Sequence, residues 1–250
     1  MPYFKVPGPL NYIAPFGRVE PLSPIWRQSP THQWNTRPEH LQFRKRENSG
    51  SSDDNLELGM CLNLSSQKFA ELIMGLINEA ITLSQDRRSE LLSWDAHAKK
   101  RTQLWFNVSN DEIRDYLLNG INSAIRVFQN LKPENFLDYT EENAAAAGCL
   151  PQVDSGADAA VCPTDISERR ILIGSKFWEL PRARKTFGTN NMNHGNSMLL
   201  TLVHEVMHFK DVFGSTDGWY GTNSAIKYAS HPQAKITSDN LAGYILGVIN

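Results

Sequence analysis

The sequence predicts an α+β domain that is mainly helical and contains a small sheet. Three stretches of helical periodicity follow a polar start, one short apolar strand comes after them, and a strongly apolar helix comes next. The chain has 250 residues, of which 40% are hydrophobic. That content is enough to bury the core of one domain.

Residues 1–57 are predicted to form a proline-rich N-terminal extension, partly extended or disordered, and residues 58–250 to form the domain. Most of the thirteen prolines precede residue 40. Because proline has no backbone N–H and fixes φ, such a segment sustains neither a helix nor a sheet ladder. Trp26, Trp34 and Phe43 lie within the extension, which indicates that parts of it pack in extended form.

Three helices are predicted after the extension. Apolar residues recur at spacings of three and four along residues 69–83, which is typical of an amphipathic helix. A second helical stretch covers residues 89–106, and a third covers residues 111–131. Pro133 ends the third stretch, because proline cannot continue a helix.

The second half of the chain predicts one strand and further helices. Residues 169–180 indicate a short strand and a turn, and we expect this strand to be the edge strand beside the functional site. Residues 197–209 predict the strongly apolar helix, capped by Asn196 or Ser197 and ended by Gly214. The rest of the chain predicts two short helices.

The overall charge and hydropathy exclude some classes of protein. The formal net charge is -2 and the isoelectric point is about 6.4, so no basic excess indicates nucleic acid as a partner. No stretch approaches the roughly 18 to 20 apolar residues that cross a bilayer, and the opening contains no standard secretory signal. We therefore expect no membrane span, and either secretion by a non-classical route or, alternatively, a cytoplasmic protein.

The three cysteines do not predict a structural zinc site. Cys61, Cys149 and Cys162 lack the paired CxxC spacing of such sites. Cys149 and Cys162 flank an acidic loop, and they could form a disulfide in an oxidising compartment or remain free buried thiols. Any zinc ion must therefore use other ligands.

His204, Glu205 and His208 form an HExxH pattern on the predicted apolar helix. The two histidines are one turn apart on one face, where both imidazoles can bind one ion. Catalytic zinc has three protein ligands and an open position for water, and a neighbouring carboxylate can accept a proton from that water. The pattern predicts a zinc site with Glu205 beside it.

The third ligand has several candidates. Asp211 lies on the same helical stripe, but seven residues from the first histidine, about 10 Å along the helix, so it could hardly reach the same ion. Asp217 comes after Gly214, where the chain can turn back, and this position favours it. Glu179 and His194 remain as further candidates upstream.

Two motifs together resemble a known family. They are His204-Glu-Val-Met-His208 and Gly214-Ser-Thr-Asp217-Gly-Trp-Tyr220-Gly221. They resemble the aspzincin family, the deuterolysin and peptidyl-Lys metalloendopeptidase group, whose pattern is HExxH followed by GTxDxxYG. Ser215 departs from this pattern, in which threonine is usual, but it retains a hydroxyl group. The resemblance covers residues 65–250, although most cysteines of the secreted fungal members are missing.

The resemblance implies a zincin-like metallopeptidase domain with one catalytic zinc ion. By analogy, His204, His208 and Asp217 would bind the ion, and Glu205 would be the general base. Tyr220 would donate a hydrogen bond to the oxyanion that forms on the attacked carbonyl. Without that role, its ring would pack under the loop.

Asp239 matches the family aspartate that receives a lysine side chain on the leaving side of the scissile bond. It could instead cap the last helix together with Ser238. The resemblance thus implies a zinc-dependent endopeptidase that acts on protein or peptide substrates and prefers lysine. A zinc amidase or cell-wall hydrolase, and a non-catalytic binding protein with a degenerate site, are the alternatives.

The family also suggests where the protein acts. Its bacterial relatives include toxin-like domains that specialised secretion systems deliver. By analogy, we expect a secreted effector or toxin, for which an immunity or inhibitor protein would be a partner.

Overall fold

The computed structural model describes residues 66–149, 157–183 and 196–247. The predicted extension, residues 1–57, lies outside these ranges, and so does His194. The extension and its boundary with the domain therefore stay predictions.

Three helices open the described part of the chain. They are α1 (Ser66–Ser93), α2 (Ala96–Phe106) and α3 (Asp111–Asn130). The apolar faces of α1 and α3 are buried in the core and pack against each other, as their periodicity predicts. α3 also ends before Pro133, as predicted.

The second predicted helical stretch, residues 89–106, is divided between two helices. Residues 89–93 continue α1, and Trp94, with a φ of +48°, interrupts the helix. Asp95 then caps α2 by accepting a hydrogen bond from the backbone N–H of Ala98 at 2.9 Å. The predicted boundary was wrong, because hydrophobic periodicity does not reveal a single residue with positive φ.

A small sheet has the strand order β1-β3-β2, where β1 is Phe136–Asp138, β2 is Ala159–Val161 and β3 is Ile171–Ile173. β3 pairs in parallel with β1 and antiparallel with β2. The strand predicted within residues 169–180 is therefore the central strand, and its prediction as an edge strand was wrong. All three residues of β3 are buried. A continuous apolar run is typical of a strand that is covered on both faces.

The segment between β1 and β3 contains α4 (Glu141–Ala146) and a disulfide. Cys149 and Cys162 are bonded, with their Cα atoms 5.4 Å apart, inside the usual range for a disulfide. Of the two alternatives for these cysteines, the structure thus has the disulfide. It links the residue that follows edge strand β2 to the end of the α4 region.

The helix α5 (Met198–His208) is the apolar helix that the sequence predicts. Ser197 caps it, because its Oγ accepts a hydrogen bond from the backbone N–H of Leu200 at 3.1 Å. The helix ends at His208 and does not extend to Gly214, so the predicted end was wrong. Gly214, with a φ of +56°, instead closes the following turn by donating from its N–H to the oxygen of Phe209 at 3.0 Å.

The two short helices predicted for the end of the chain are α6 (Thr222–Lys227) and α7 (Ser238–Leu246). Every residue of α7 is buried, and the helix packs against α5 and α2. Its Gly243 lies against the indole of Trp105, and a Cβ atom at this position would overlap the ring. A glycine is therefore required for the close approach of α7 to α2. Among the described helices, none is both long and apolar enough to span a bilayer.

Candidate metal centre

The loop after α5 returns toward the helix and is held at two points. The backbone N–H of Ser215 donates to the oxygen of Met207 at 3.1 Å, and that of Thr216 donates to the oxygen of Ile236 at 2.8 Å. The first bond fixes the loop to α5, and the second fixes it to the segment before α7. The next residue along the chain, Asp217, is placed by these bonds.

His204, His208 and Asp217 bring three ligand atoms to the corners of a nearly equilateral triangle. Oδ1 of Asp217 lies 3.1 Å from Nε2 of His204 and 3.3 Å from Nε2 of His208, and the two nitrogens are 3.1 Å apart. In residues 66–149, 157–183 and 196–247, no other group of three histidine, cysteine or carboxylate side chains converges in this way.

The donor set and its dimensions fit zinc. A tetrahedral zinc ion with ligand distances of about 2.0–2.2 Å needs its ligand atoms roughly 3.3–3.5 Å apart. The observed separations of 3.1 to 3.3 Å are close to this requirement. Two imidazole nitrogens and one carboxylate oxygen would leave the fourth position of the ion open for water or substrate.

The second nitrogen of each imidazole faces an acceptor on the protein. Nδ1 of His208 lies 2.9 Å from the main-chain oxygen of Ser215, and Nδ1 of His204 lies 3.4 Å from Oδ2 of Asp239. Because these acceptors favour a hydrogen on Nδ1, they favour the tautomer whose lone pair is on Nε2. Both rings therefore present a metal-binding nitrogen to the centre.

Glu205 lies beside the triangle without belonging to it. It borders the same cleft as His204 and Asp217, and its side chain is buried. Burial raises the pKa of its carboxyl, and the positive charge of nearby imidazoles partly opposes that rise. A carboxyl with a raised pKa is suited to accept and return a proton.

Tyr220 borders the cleft from the solvent side. The residue is 72% exposed, and its hydroxyl lies 3.4 Å from Oδ2 of Asp217. The alternative interpretation, an aromatic ring packed under the loop, is therefore wrong. Partial burial of the hydroxyl and the charge of Asp217 raise its pKa to about 12, so it remains a hydrogen-bond donor at neutral pH.

Asp239 borders the same cleft, and only 4% of it is exposed. Its carboxylate faces His204, as described above. The capping alternative is wrong, because Thr237 is the N-cap residue of α7 and no side chain makes a capping hydrogen bond there. Contact between Asp239 and a lysine side chain stays a prediction.

The cleft in front of the triangle has a volume of about 500 Å³. Leu200 and Thr201 of α5 line it, and one wall is formed by residues 157–159 at the start of edge strand β2. In this wall, Oδ2 of Asp158 accepts a hydrogen bond from Nδ2 of Asn196 at 2.6 Å. This bond ties the wall to the residues that precede α5.

Comparison with known proteins supports the fold assignment. No family model matches the chain, and no curated protein matches it in sequence. Among solved structures, a zinc peptidase from Grifola frondosa is similar, with 21% sequence identity, a TM-score of 0.52, and coverage of 73% of this chain and 96% of that chain. The fold is that of a zinc peptidase. The predicted α+β class, mainly helical with a small sheet, is thereby confirmed.

The charges of the centre stabilise one another. Burial by itself would lower the pKa of His204, but hydrogen bonds to Asp217 and Asp239 raise it well above its ordinary value. The pKa of His208 is raised against the same effect of burial, mainly by Asp217. Burial would raise the pKa of Asp217, but the two histidines lower it. The neighbouring carboxylates thus favour protonated imidazoles. A metal ion that binds here must displace protons from the two histidines.

The other candidate ligands lie away from the triangle. Asp211 is beyond the end of α5 and accepts two hydrogen bonds from Arg169, at 3.1 and 2.6 Å. Glu179 is exposed at the end of a short 3-10 helix, Ser175–Glu179. Of the candidates that the structure describes, Asp217 is the one placed beside the histidines.

Several polar residues around the centre had no predicted role there, and two of them, Asn196 and Ser238, were proposed only as possible helix caps. Asp158 and Asn196 lie in segments without periodicity, and no local pattern indicates that they meet. Ser238 and Asn240 flank Asp239 at the start of α7, where three successive polar residues precede an apolar run. That run of polar residues in a buried helix was the signal that could have identified them.

Proposed function

We propose that this protein is a zinc-dependent endopeptidase. The observation that carries the proposal is the triangle of His204, His208 and Asp217, with the buried carboxyl of Glu205 directly beside it. The similarity of the fold to a zinc peptidase supports it. The same residues complete the HExxH and GTxDxxYG-like motifs, which support the finer assignment to the aspzincin type.

A zinc ion held by His204, His208 and Asp217 would supply Lewis-acid chemistry, which polarises a scissile carbonyl and lowers the pKa of a water molecule. Glu205 accepts a proton from the attacking water and then returns it to the leaving amine. The hydroxyl of Tyr220 donates a hydrogen bond to the oxygen on which negative charge develops. Asp217 and the two histidines offer three ligand atoms for such an ion.

The charge of the cleft supports a preference for a cationic side chain such as lysine. Four of the described residues that line the cleft are acidic, and no lysine or arginine is among the described lining residues. Two of these acids, Glu205 and Asp217, have roles in the proposed chemistry, and Asp158 and Asp239 add negative charge to the same cleft. A carboxylate in a cleft selects a cation, because pairing offsets its own desolvation.

We also propose that the protein acts as a secreted effector or toxin, with an immunity or inhibitor protein as a partner. The family resemblance suggests this role, and the disulfide between Cys149 and Cys162 supports an oxidising environment. Thiol labelling of the protein from culture medium and from cell lysate, with the labelled peptides identified by mass spectrometry, measures the state of Cys149 and Cys162 separately from that of Cys61. Free thiols in both fractions would contradict the proposal.

The endopeptidase proposal is tested by digesting a proteome-derived peptide library with the zinc-loaded protein and with its Glu205→Gln variant. Mass spectrometry of the products locates the cut sites. We expect cuts only with the wild-type protein, enriched before lysine. Equal cutting by both proteins would contradict the role of Glu205, and a wild-type protein that cuts no peptide would favour a zinc amidase or a binding protein.

A further inference from the structure

Three consecutive polar residues at the start of α7 are almost completely buried. Ser238 and Asn240 are 0% exposed, and Asp239 is 4% exposed. Buried polar side chains need hydrogen-bond partners, and a charged one is seldom buried without an ionic or metal-linked partner. Ser238 and Asp239 have partners in or beside the metal centre, and Asn240 has partners in the loop after Asp217 and in two neighbouring helices.

Ser238 contacts the loop that carries Asp217 and the second histidine. Its Oγ lies 2.8 Å from Oγ of Ser215 and 3.2 Å from both Nδ1 and Nε2 of His208. Ser215 is also the residue whose main-chain oxygen faces Nδ1 of His208. The start of α7 and the loop therefore hold the same imidazole from two directions.

Asn240 holds the other end of that loop. Its Oδ1 accepts a hydrogen bond from Nε1 of Trp219 at 2.8 Å, and its Nδ2 donates to the oxygens of Trp105 and Ala225 at 2.7 and 3.0 Å. Trp219 lies directly before Tyr220 in the loop. The bonds of one buried amide thus fix the backbone near the proposed oxyanion donor to α7, to the end of α2 and to α6.

Asp239 stands between these two residues and faces the first histidine. Its Oδ2 lies 3.4 Å from Nδ1 of His204, whose Nε2 is one corner of the triangle. Carboxylates that accept from the outer nitrogen of a metal-binding histidine fix the orientation of the ring and raise its basicity. The geometry gives Asp239 a contact that a mere specificity residue does not need.

We propose that Asp239 is a positioning residue for the metal centre, because it orients His204 through Nδ1. Ser238 and Asn240 fix the neighbouring loop through their hydrogen bonds to Ser215 and Trp219. This inference rests on the proposed zinc site. It differs from the prediction that Asp239 only receives a lysine side chain, because it assigns the residue an effect on metal binding itself.

The test compares zinc affinity in the wild type, Asp239→Ala and Asp239→Asn, measured by competition with a colorimetric chelator. The alanine variant removes the acceptor, so we expect a loss of affinity of about 10- to 100-fold. The asparagine variant keeps an oxygen that can accept from Nδ1, and we expect a smaller loss. The matched control is Asp158→Asn, a carboxylate of the same cleft without a contact to either histidine, which should leave zinc affinity unchanged.

An alanine variant that binds zinc as tightly as the wild type would overturn the proposal. If that variant does not fold, the asparagine variant decides through the visible absorption of bound cobalt(II), which reports ligand geometry. Because a neutral amide oxygen is a weaker acceptor than a carboxylate, the positioning role predicts a changed spectrum and a lower zinc affinity than in the wild type, and an affinity equal to that of the wild type overturns it.

Kinetics separate this role from substrate selection. A positioning residue predicts that Asp239→Asn lowers kcat for peptides with and without lysine alike. A rise in KM confined to lysine peptides would overturn the inference. A wild-type protein that binds zinc but cuts no peptide would contradict the proposed peptidase function, and the zinc affinities would still decide the role of Asp239.

Discussion

Nδ1 of His208 and the main-chain oxygen of Ser215 are 2.9 Å apart. The last residue of α5 is therefore hydrogen-bonded to the loop that delivers Asp217, two residues further on. This contact couples two of the three proposed metal ligands, because it joins the ring of His208 to the loop that carries Asp217.

Replacing Tyr220 by phenylalanine should lower kcat by about 100-fold and leave KM nearly unchanged. The substitution removes the hydroxyl donor while the exposed ring remains, and one oxyanion donor is worth roughly 10²- to 10³-fold in kcat. Steady-state kinetics on a peptide cut by the wild type measure both constants. An unchanged kcat would exclude the hydroxyl from the reaction, provided that zinc affinity is the same in both proteins.

Asp211→Asn should leave zinc affinity unchanged and cost no more than about 1 kcal/mol of stability. Asp211 pairs with Arg169 outside the centre, and its side chain is 42% exposed, where solvent screening makes ion pairs weak. Chelator competition and urea unfolding measure the two quantities. A clear loss of zinc affinity would mean that Asp211 contributes to the metal site after all.

Gly243→Ala should destabilise the protein by about 1–3 kcal/mol, because the added methyl overlaps Trp105 and overpacks the contact between α7 and α2. The matched control is Gly75→Ala in α1, where the added Cβ meets only the guanidinium end of Arg182. That variant should be neutral or gain up to about 1 kcal/mol from helix propensity. Thermal unfolding of both variants measures the effects, and equal melting temperatures would contradict the packing argument.

Zinc should raise the melting temperature more at pH 8 than at pH 6. The folded-state pKa of His204 and of His208 is raised above the ordinary value of 6.5. A raised histidine pKa stabilises the zinc-free protein below the unfolded-state pKa, and this contribution is lost as the pH rises through the folded-state pKa. Zinc binding requires neutral imidazoles, so protons compete with it at low pH. Calorimetry with and without zinc at both pH values measures the rise in melting temperature that zinc causes. A rise at pH 6 that equals or exceeds the rise at pH 8 would contradict the prediction.

The sequence predicted those parts of the fold that local pattern determines. The periodicity of α1, α3 and α5 identified these helices, and Ser197 was one of two proposed caps. Local pattern could not place Ile171–Ile173 within the sheet, because the position of a strand depends on which segments pair with it. The weakly apolar strand Ala159–Val161 was missed for the same reason, although its first residue lines the cleft.

The candidate centre was partly predictable for a geometric reason. Histidines four residues apart on a helix necessarily share a face, so the pair His204 and His208 follows from the sequence. The return of Asp217 was favoured by the glycine before it, but its contact depends on the backbone bonds of Ser215 and Thr216. The contact of Asp239 with His204 depends on how α7 packs against α5, and no local pattern determines that packing.

The most direct test of the account is a zinc titration of the metal-free wild type and its Asp217→Ala variant, followed by measurement of bound metal. The account predicts one zinc ion per wild-type chain. It also predicts an affinity loss in the variant that exceeds the roughly 10- to 100-fold typical of an outer hydrogen-bond partner, because a ligand itself is removed. A wild-type protein that binds no zinc, or a variant that binds it equally well, would contradict the account.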